Sequence, residues 1–481
     1  MKRYEALADD LTRSIRAGVF RPGERLPSVR QTCAARRLSP STVFQAYYLL
    51  EARGLIESRA RSGYYVSRQP PRLPPEPEAT SRPDGDSRPV DVSELVFEVL
   101  QSAMRRELVP LGSAFPSPEL FPLDRLGRAL AAAAQELDPW STVDDLTPGL
   151  AELRRQISQR YLIDGIDVSA EEIVITNGAM EALTLGIGAV TRPGDAVLVE
   201  SPCFYAVLQS LERSGLRAVE VPTHPRDGVD LDALEQAIER HAPRACWLMP
   251  TFHNPLGATM PDSSKQALVA LLAKHRIVLI EDDVYAELHY GPKRVLPAKA
   301  YDREGLVIHC SSFSKCLAPG YRIGWVAAGR FRETIARNKL TTTLNTNVPA
   351  QRAMSRYLQR GGYDRHLRRL RARLAEQQDR YLAAVAAWFP GGTRVTRAGG
   401  GYFAWIELPE GSDALAIRRR AAWEGISIAP GPIFSASRGF RRCLRLNYGH
   451  PFDPRIEQAL QVLGRLAHEA QPAGEPQAVG E

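Results

Sequence analysis

Five short apolar runs, "EIVITN", "AVLVES", "RACWLMP", "IVLIEDD" and "GLVIHCSS", recur between Glu172 and Ser312, separated by stretches of helical spacing such as "DSSKQALVALLAKH". The runs are rich in Val, Ile and Leu and lack polar alternation, so both faces of each strand must be covered. Strands of this kind between helices predict an α/β fold, a mostly parallel sheet held between helical layers. In such sheets ligands sit beyond the carboxyl ends of the strands, and the polar residues that close these runs lie at that edge.

At 481 residues the chain exceeds one ordinary core, and its charge is unevenly divided. Residues 1–66 hold 12 Lys or Arg against 6 Asp or Glu, while the remaining 415 hold 50 against 49. A small basic head before a nearly neutral body predicts a polyanionic partner for the head alone. Between them, residues 67–91 contain seven prolines and almost no large apolar side chain. That composition predicts an unpacked tether, about 25–30 Å long as a coil. Residues 92–468 are then the body, with a smaller α+β part at roughly 350–468 plus some of 92–135, and 469–481 a disordered tail. No apolar run approaches the roughly 20 residues that span a bilayer, and "MKRYEALADD" has no signal-like core, so a cytoplasmic protein without a membrane partner is expected. Six scattered cysteines without CxxC spacing argue against structural zinc and against a disulfide framework, and no metal is expected.

In "YEALADDLTRSIRAGVF" the residues Tyr4, Leu7, Leu11 and Ile15 share one helical face, and Gly18 follows as a stop. Ser28 is the expected N-cap of a short second helix. For a third, in "LSPSTVFQAYYLLEARG", Ser39 is the N-cap, Pro40 opens the first turn and Gly54 lies past the end. Val43, Ala46, Tyr47 and Leu50 form its buried stripe. Opposite them lie Ser41, Thr42, Gln45 and Tyr48, side chains able to reach base edges and phosphates. "LIESRARSGYYV" then turns at "ARSG" as a short hairpin with Arg59 and Arg61 near its tip. Three helices and a basic hairpin predict a winged helix-turn-helix. The stretch "PGERLPSVRQTCAARRLSPSTVFQAYYLLEARGLI" resembles the GntR family of DNA-binding domains over nearly the whole head. The resemblance implies duplex DNA as partner, with Arg30, Ser41, Thr42 and Gln45, and Gly63 in the wing, as contact residues. Where that family often has Arg or Asn at the start of the recognition helix, this chain has Pro40 and Ser41, so a base preference does not carry over.

In the body, "SSFSKCLAPGYRIGW" sets Lys315 just past the last apolar run, between hydroxyls and Arg322. "PTFHNPLG" puts Asn254 at a strand end, and "IVLIEDDVYAEL" puts Asp282 and Tyr285 at another. A buried carboxylate requires a cationic partner. After "EIVITN", small residues open a helix whose Ala179 and Met180 N–H groups can hold a phosphate. Singly, each of these is an ordinary surface or loop residue. Together they are an amine, a carboxylate, polar donors and an anion cup, which are the parts that pyridoxal phosphate requires; the carboxylate keeps the ring nitrogen protonated and so preserves the electron sink.

From about Val92 to Ala467 the chain resembles a fold-type I, class I aminotransferase, and with its GntR-like head the whole resembles the MocR family of bacterial transcriptional regulators. The resemblance implies that Lys315 forms the internal aldimine, Asp282 pairs with the ring nitrogen, and Asn254 and Tyr285 bond the phenolic oxygen. Ser312, Ser314 and Arg322, with the Ala179 and Met180 amides, cup the phosphate. Phe204 in "ESPCF" falls at the ring-stacking position, with adjacent Tyr205 as an alternative. Arg445 in "CLRLNYGH" falls where the family binds a substrate α-carboxylate, for which a guanidinium fork is suited. A homodimer is implied, with an altered contact, because "WSTVDDLTPGLAELRRQI" lacks the upstream tyrosine with which many members reach the partner subunit. Two functions follow. In one, an amino compound forms an external aldimine at Lys315 and alters DNA binding. In the other, the body is a working aminotransferase, Lys315 is its catalytic base, and the head is accessory.

Overall fold

The computed structural model describes residues 3–16, 19–52, 54–59, 62–67, 73–103, 106–143 and 148–470. The head folds as its pattern predicts: helices α1 (Arg3–Arg16), α2 (Val29–Arg36) and α3 (Pro40–Ala52), then an antiparallel pair β1 (Ile56–Arg59) and β2 (Gly63–Val66). Ser28 caps α2 through a reciprocal box with Gln31, and the Ser39 hydroxyl accepts from the Thr42 N–H. Leu7, Leu11 and Ile15 of α1 pack on Val43, Ala46, Tyr47 and Leu50 of α3. Gly18 and Arg61 lie outside the described residues.

All five apolar runs are strands. The large sheet has β3 (Ser87–Pro89), β4 (Ile173–Thr176), β5 (Ala196–Ser201), β6 (Arg217–His224), β7 (Gly228–Val229), β8 (Ala245–Leu248), β9 (Val278–Asp282), β10 (Val307–Ser312) and β11 (Gly324–Ala327). Its order is β3-β6-β5-β8-β9-β10-β11-β4, with β7 on β6; the central pairs are parallel, and β3 and β11 run against their neighbours. Ile280 and Ile308 pack to one side with Leu183 and Ile187, while Leu279 and Val307 pack to the other with Leu268 and Leu272. Alternate residues meet two different helical layers, which is why the runs are apolar throughout. A second, antiparallel sheet, β12 (Arg394–Val395), β13 (Phe403–Glu407), β14 (Ala429–Pro430) and β15 (Cys443–Asn447), has the order β12-β13-β15-β14. Val109 bridges to Ile426 beside it, so part of the 92–135 segment joins this unit.

The proline-rich stretch departs from expectation. Residues 73–89 do not hang free: they run along the body, and Ser87–Pro89 becomes edge strand β3 on β6. Ser81 exchanges bonds with Thr223, donating from its N–H to the Thr223 carbonyl and accepting on its hydroxyl from the Thr223 N–H. Nearer the head, the Pro75 carbonyl accepts from the Val395 N–H and the Pro74 carbonyl from Arg397. Glu76 links the margins of the two sheets, since its Oε2 accepts at 2.7 Å from Arg226, in the turn between β6 and β7, and its Oε1 at 3.0 Å from the N–H of Arg397, two residues past β12. Composition correctly excluded a hydrophobic element here; what it could not register is that backbone groups and scattered polar side chains, among them the Glu76 and Asp86 carboxylates and the Ser81 and Ser87 hydroxyls, pin an extended chain to an existing edge. Glu469, expected in the tail, instead ends a helix. The last helix, Pro454–Glu469, keeps Glu469 paired to Arg420 and Arg465, and residues 471–481 lie outside the described residues.

Candidate functional site

The strand ends converge as the topology requires. Asp282 closes β9, Ser312 closes β10, and Lys315 follows three residues later. Lys315 is half-buried; its amine donates to the Ala114 carbonyl at 2.9 Å and lies 3.7 Å from the centre of the Phe115 ring. Burial, reinforced by the Arg445 and Arg322 charges and opposed by Asp282, brings its pKa down to about 7. Burial and neighbouring Asp283 push Asp282 up to about 7, against the pull of Lys315. Its Oδ1 has no hydrogen-bond partner. Tyr285 is buried against Tyr402 and Phe403, its ring centre 6.0 Å from the Lys315 amine.

Arg445, on β15, is fully buried under the same strand ends. Its guanidinium donates to Asn254 Oδ1 at 3.0 Å, to the Gly112 carbonyl at 2.7 Å and to the Ser113 carbonyl at 3.2 Å, and it lies over the Phe403 ring at 4.2 Å. The Arg445 Nε and the Asn254 Nδ2 have no partner. Phe204 heads the helix Tyr205–Arg213 and packs on Tyr205 at 4.6 Å, and Tyr205 in turn packs on Phe434 at 5.8 Å. Around the other end, the Arg322 fork reaches the Ser314 hydroxyl at 3.3 Å and the Asn177 carbonyl at 3.2 Å, while Ser312 accepts from the Ser314 N–H at 3.3 Å. Arg322 crosses the start of the helix Ala179–Val190, where the first N–H groups have no intrahelical acceptor. Gly178 leaves room for that crossing: its φ is +83°, and an added Cβ would meet Arg322 Nη2 at 2.3 Å.

Of the DNA-contact candidates, Arg30, Ser41 and Gln45 are exposed and Thr42 is half-buried. Gly63, with φ +108°, opens β2 beside the Arg25 guanidinium. The head and body candidates thus form two separate clusters.

Sequence reasoning missed the strap Gly112–Phe115. Its carbonyls hold Arg445 and Lys315 and also accept from Tyr402 and from Asn447 Nδ2. Asn447 was findable, being two residues from Arg445 on one strand and therefore on the same face. A buried chain behind Asp282 was also missed: Trp325 donates to the Tyr161 hydroxyl, which meets His309 Nδ1 at 2.7 Å, and His309 Nε2 meets Asp283 at 3.0 Å.

Fold and site together define an aminotransferase-type body joined to a winged DNA-binding head. Residues 129–463 match the family model Aminotransferase class I and II, and residues 3–66 match Bacterial regulatory proteins, gntR family. The chain belongs to the aminotransferase class I and II family and, with its gntR head, has the two-part architecture of MocR-type regulators. It is 46% identical over 469 residues to the uncharacterized HTH-type transcriptional regulator YdcR of Escherichia coli, covering 98% of this chain and 100% of that protein. It is 32% identical over 374 residues to the 2-aminoadipate transaminase of Thermus thermophilus, covering 77% of this chain and 92% of that enzyme. The crystal structure of a Pyrococcus horikoshii kynurenine aminotransferase in complex with PMP aligns with a TM-score of 0.72 at 29% identity, covering 80% of this chain and 96% of that one. Among the described residues no helix is long and apolar enough to cross a membrane.

The cofactor of this family is pyridoxal 5'-phosphate, and the residues present fit it. The partnerless Asp282 Oδ1 and Asn254 Nδ2 call for a buried polar ligand, and the glycine-permitted crossing of Arg322 over a helix N-terminus makes an anion cup.

Proposed function

We propose that the chain is a one-component transcription regulator whose body reads an amino compound with the help of pyridoxal phosphate and whose head delivers the result to duplex DNA. The observation that carries this reading is coverage. The regulator YdcR matches 98% of this chain, whereas the transaminase of Thermus thermophilus is nearly complete within 77% of it and has no counterpart of the head.

When bound, pyridoxal phosphate supplies an aldehyde for an amine and a ring that draws electrons from the attached carbon. Lys315 would present that amine, unprotonated in a useful fraction at neutral pH. Asp282 would hold the ring N–H, and Asn254 and Tyr285 the phenolic oxygen. Ser312, Ser314, Arg322 and the Ala179 and Met180 amides would hold the phosphate, and Phe204 would cover the ring face. Arg445 would fork the carboxylate of the incoming amino compound. To do so it must release the Gly112 and Ser113 carbonyls, so ligand entry disturbs the strap that closes the site. The body acts as a homodimer, which brings two heads to two half-sites.

The second reading, a working aminotransferase, is favoured by the completeness of the set around Lys315. One experiment separates them: selection of genomic fragments by the full chain, with and without candidate amines, beside steady-state turnover of an amino donor and a 2-oxo acid. Sequence-specific, salt-sensitive DNA binding that needs residues 1–66 and shifts with an amine is expected. Turnover in the ordinary enzyme range, roughly 1 to 1,000 per second, with no amine effect on DNA would reverse the conclusion.

The route from body to head runs through Glu76, which bonds loop residues at the margins of both sheets. Glu76→Ala is expected to shrink the amine-induced change in DNA affinity from the roughly 5- to 150-fold typical of such coupling to below about twofold. Affinity without the amine should stay within about twofold. An undiminished amine effect in a titration of this variant removes Glu76 from the route.

A further inference from the structure

The outward face of α3 is unusual for a small charged domain. Val43, Ala46, Tyr47 and Leu50 are fully buried, yet on the opposite side Phe44 is 53% and Tyr48 67% exposed. With Ser41 and Gln45 they make one contiguous strip, since residues three and four apart are neighbours on a helix. The Ser41 and Thr42 hydroxyls turn back to the Ser39 hydroxyl at 3.0 and 2.8 Å, and so are engaged at the cap. The side chains that project furthest are therefore Phe44, Gln45 and Tyr48, and only Phe44 has no polar atom.

Three occupants can cover such a strip: another head, the body, or DNA. Another head is disfavoured by charge, because residues 1–66 carry 12 Lys or Arg against 6 Asp or Glu. The nearly neutral body offers no attraction of that kind. A nucleic-acid duplex does, and Arg30 lies exposed on the neighbouring helix α2. Within the major groove, base edges present mostly donors and acceptors, and the largest apolar group among them is the 5-methyl of thymine. A wholly apolar ring entering that groove finds its best partner in that methyl.

We propose that Phe44 is a specificity residue that packs on a thymine 5-methyl group in each operator half-site. This rests on the DNA-binding reading of the head and adds a base to it. Burying a methyl is worth about 0.8 kcal/mol, roughly a fourfold change in affinity, and loss of the surrounding packing raises this somewhat.

The test uses the full chain and a duplex that it selects from genomic fragments. Each thymine is replaced in turn by deoxyuridine, which pairs identically but lacks the methyl. At one thymine per half-site, affinity is expected to fall about three- to tenfold, while the other positions change little. Phe44→Ala should weaken the thymine duplex by a similar factor and make it equal to the deoxyuridine duplex; Phe44→Leu, which keeps apolar contact, should retain the difference. Both variants change an exposed side chain, and circular dichroism checks that they fold. The proposal is overturned if no deoxyuridine position matters, or if Phe44→Ala preserves the deoxyuridine effect. It is overturned equally if Phe44→Ala changes sedimentation of the free protein and leaves DNA affinity intact, which would mark a protein contact. Failure of the full chain to select any duplex would instead sink the DNA-binding reading beneath it, a distinct result.

Discussion

Lys315→Ala is expected to end covalent capture of pyridoxal phosphate by this protein. After incubation with the cofactor and borohydride, the unaltered chain should gain one phosphopyridoxyl mass per protomer, on the peptide containing Lys315. The variant should gain none. Other buried lysines are poor substitutes. Lys265 donates to Thr251 Oγ1 and the Leu296 carbonyl, both at 2.7 Å, and Lys299 pairs with Asp302 at 3.0 Å. Among the described lysines, Lys315 alone sits under the strand ends with Asp282, Arg322 and Arg445 as its electrostatic neighbours. The same environment sets a pH dependence. Burial and two arginines lower its pKa to about 7 from 10.5, so the unprotonated, reactive fraction grows as pH rises through about 7 and is nearly complete by 9. The initial rate of capture should follow that curve. A midpoint near 10, or full incorporation into the alanine variant, would remove Lys315 from the chemistry.

The second large effect concerns Asp282, where a single substitution should act with opposite signs on two states. In the cofactor-free protein its carboxyl is buried, with one oxygen lacking a partner and its pKa raised to about 7 from 3.8. A raised carboxyl pKa means that the folded chain holds the proton more tightly than the unfolded chain between those values. Stability contributed by this group is thus fully present below about pH 4 and is lost as pH rises toward 7. Asp282→Asn removes the ionisation, so at pH 8 the cofactor-free variant should melt higher than the unaltered protein, and the two should converge near pH 4. With cofactor the sign reverses. Leaving a buried cation without its carboxylate costs about 3–5 kcal/mol, so affinity for pyridoxal phosphate should fall by roughly two to four orders of magnitude. Thermal melts across pH, with and without cofactor, give both numbers. Equal cofactor stabilisation of the two proteins would mean that Asp282 does not face the ring nitrogen.

Much of this site was legible before any coordinates. Strands buried on both faces cannot alternate, so "IVLIEDD" and "GLVIHCSS" announced themselves, and the polar residues that end them had to lie at the ligand edge. Helix caps are equally local: Ser28 and Ser39 needed only their own first turns. The strap Gly112–Phe115 was not legible. It acts through backbone carbonyls, which every residue possesses, and its partners lie some 200 and 333 positions away. Phe44 was visible as a letter but not as an exposed ring, because a helix with apolar residues on both sides does not declare which side is covered.

Chain order and residue type by themselves determined the class of the molecule: a basic winged head, an α/β body, and a lysine and a carboxylate at neighbouring strand ends. These follow from spacing, charge and the need to hide apolar surface, all of which are local. Only the tertiary structure decided how distant segments of the chain are held to one another. It turned an apparent tether into a bound segment with Glu76 between two sheets, and it put backbone carbonyls onto Arg445 and Lys315. Such contacts use groups common to every peptide, and their partners are chosen by how the whole chain folds back on itself.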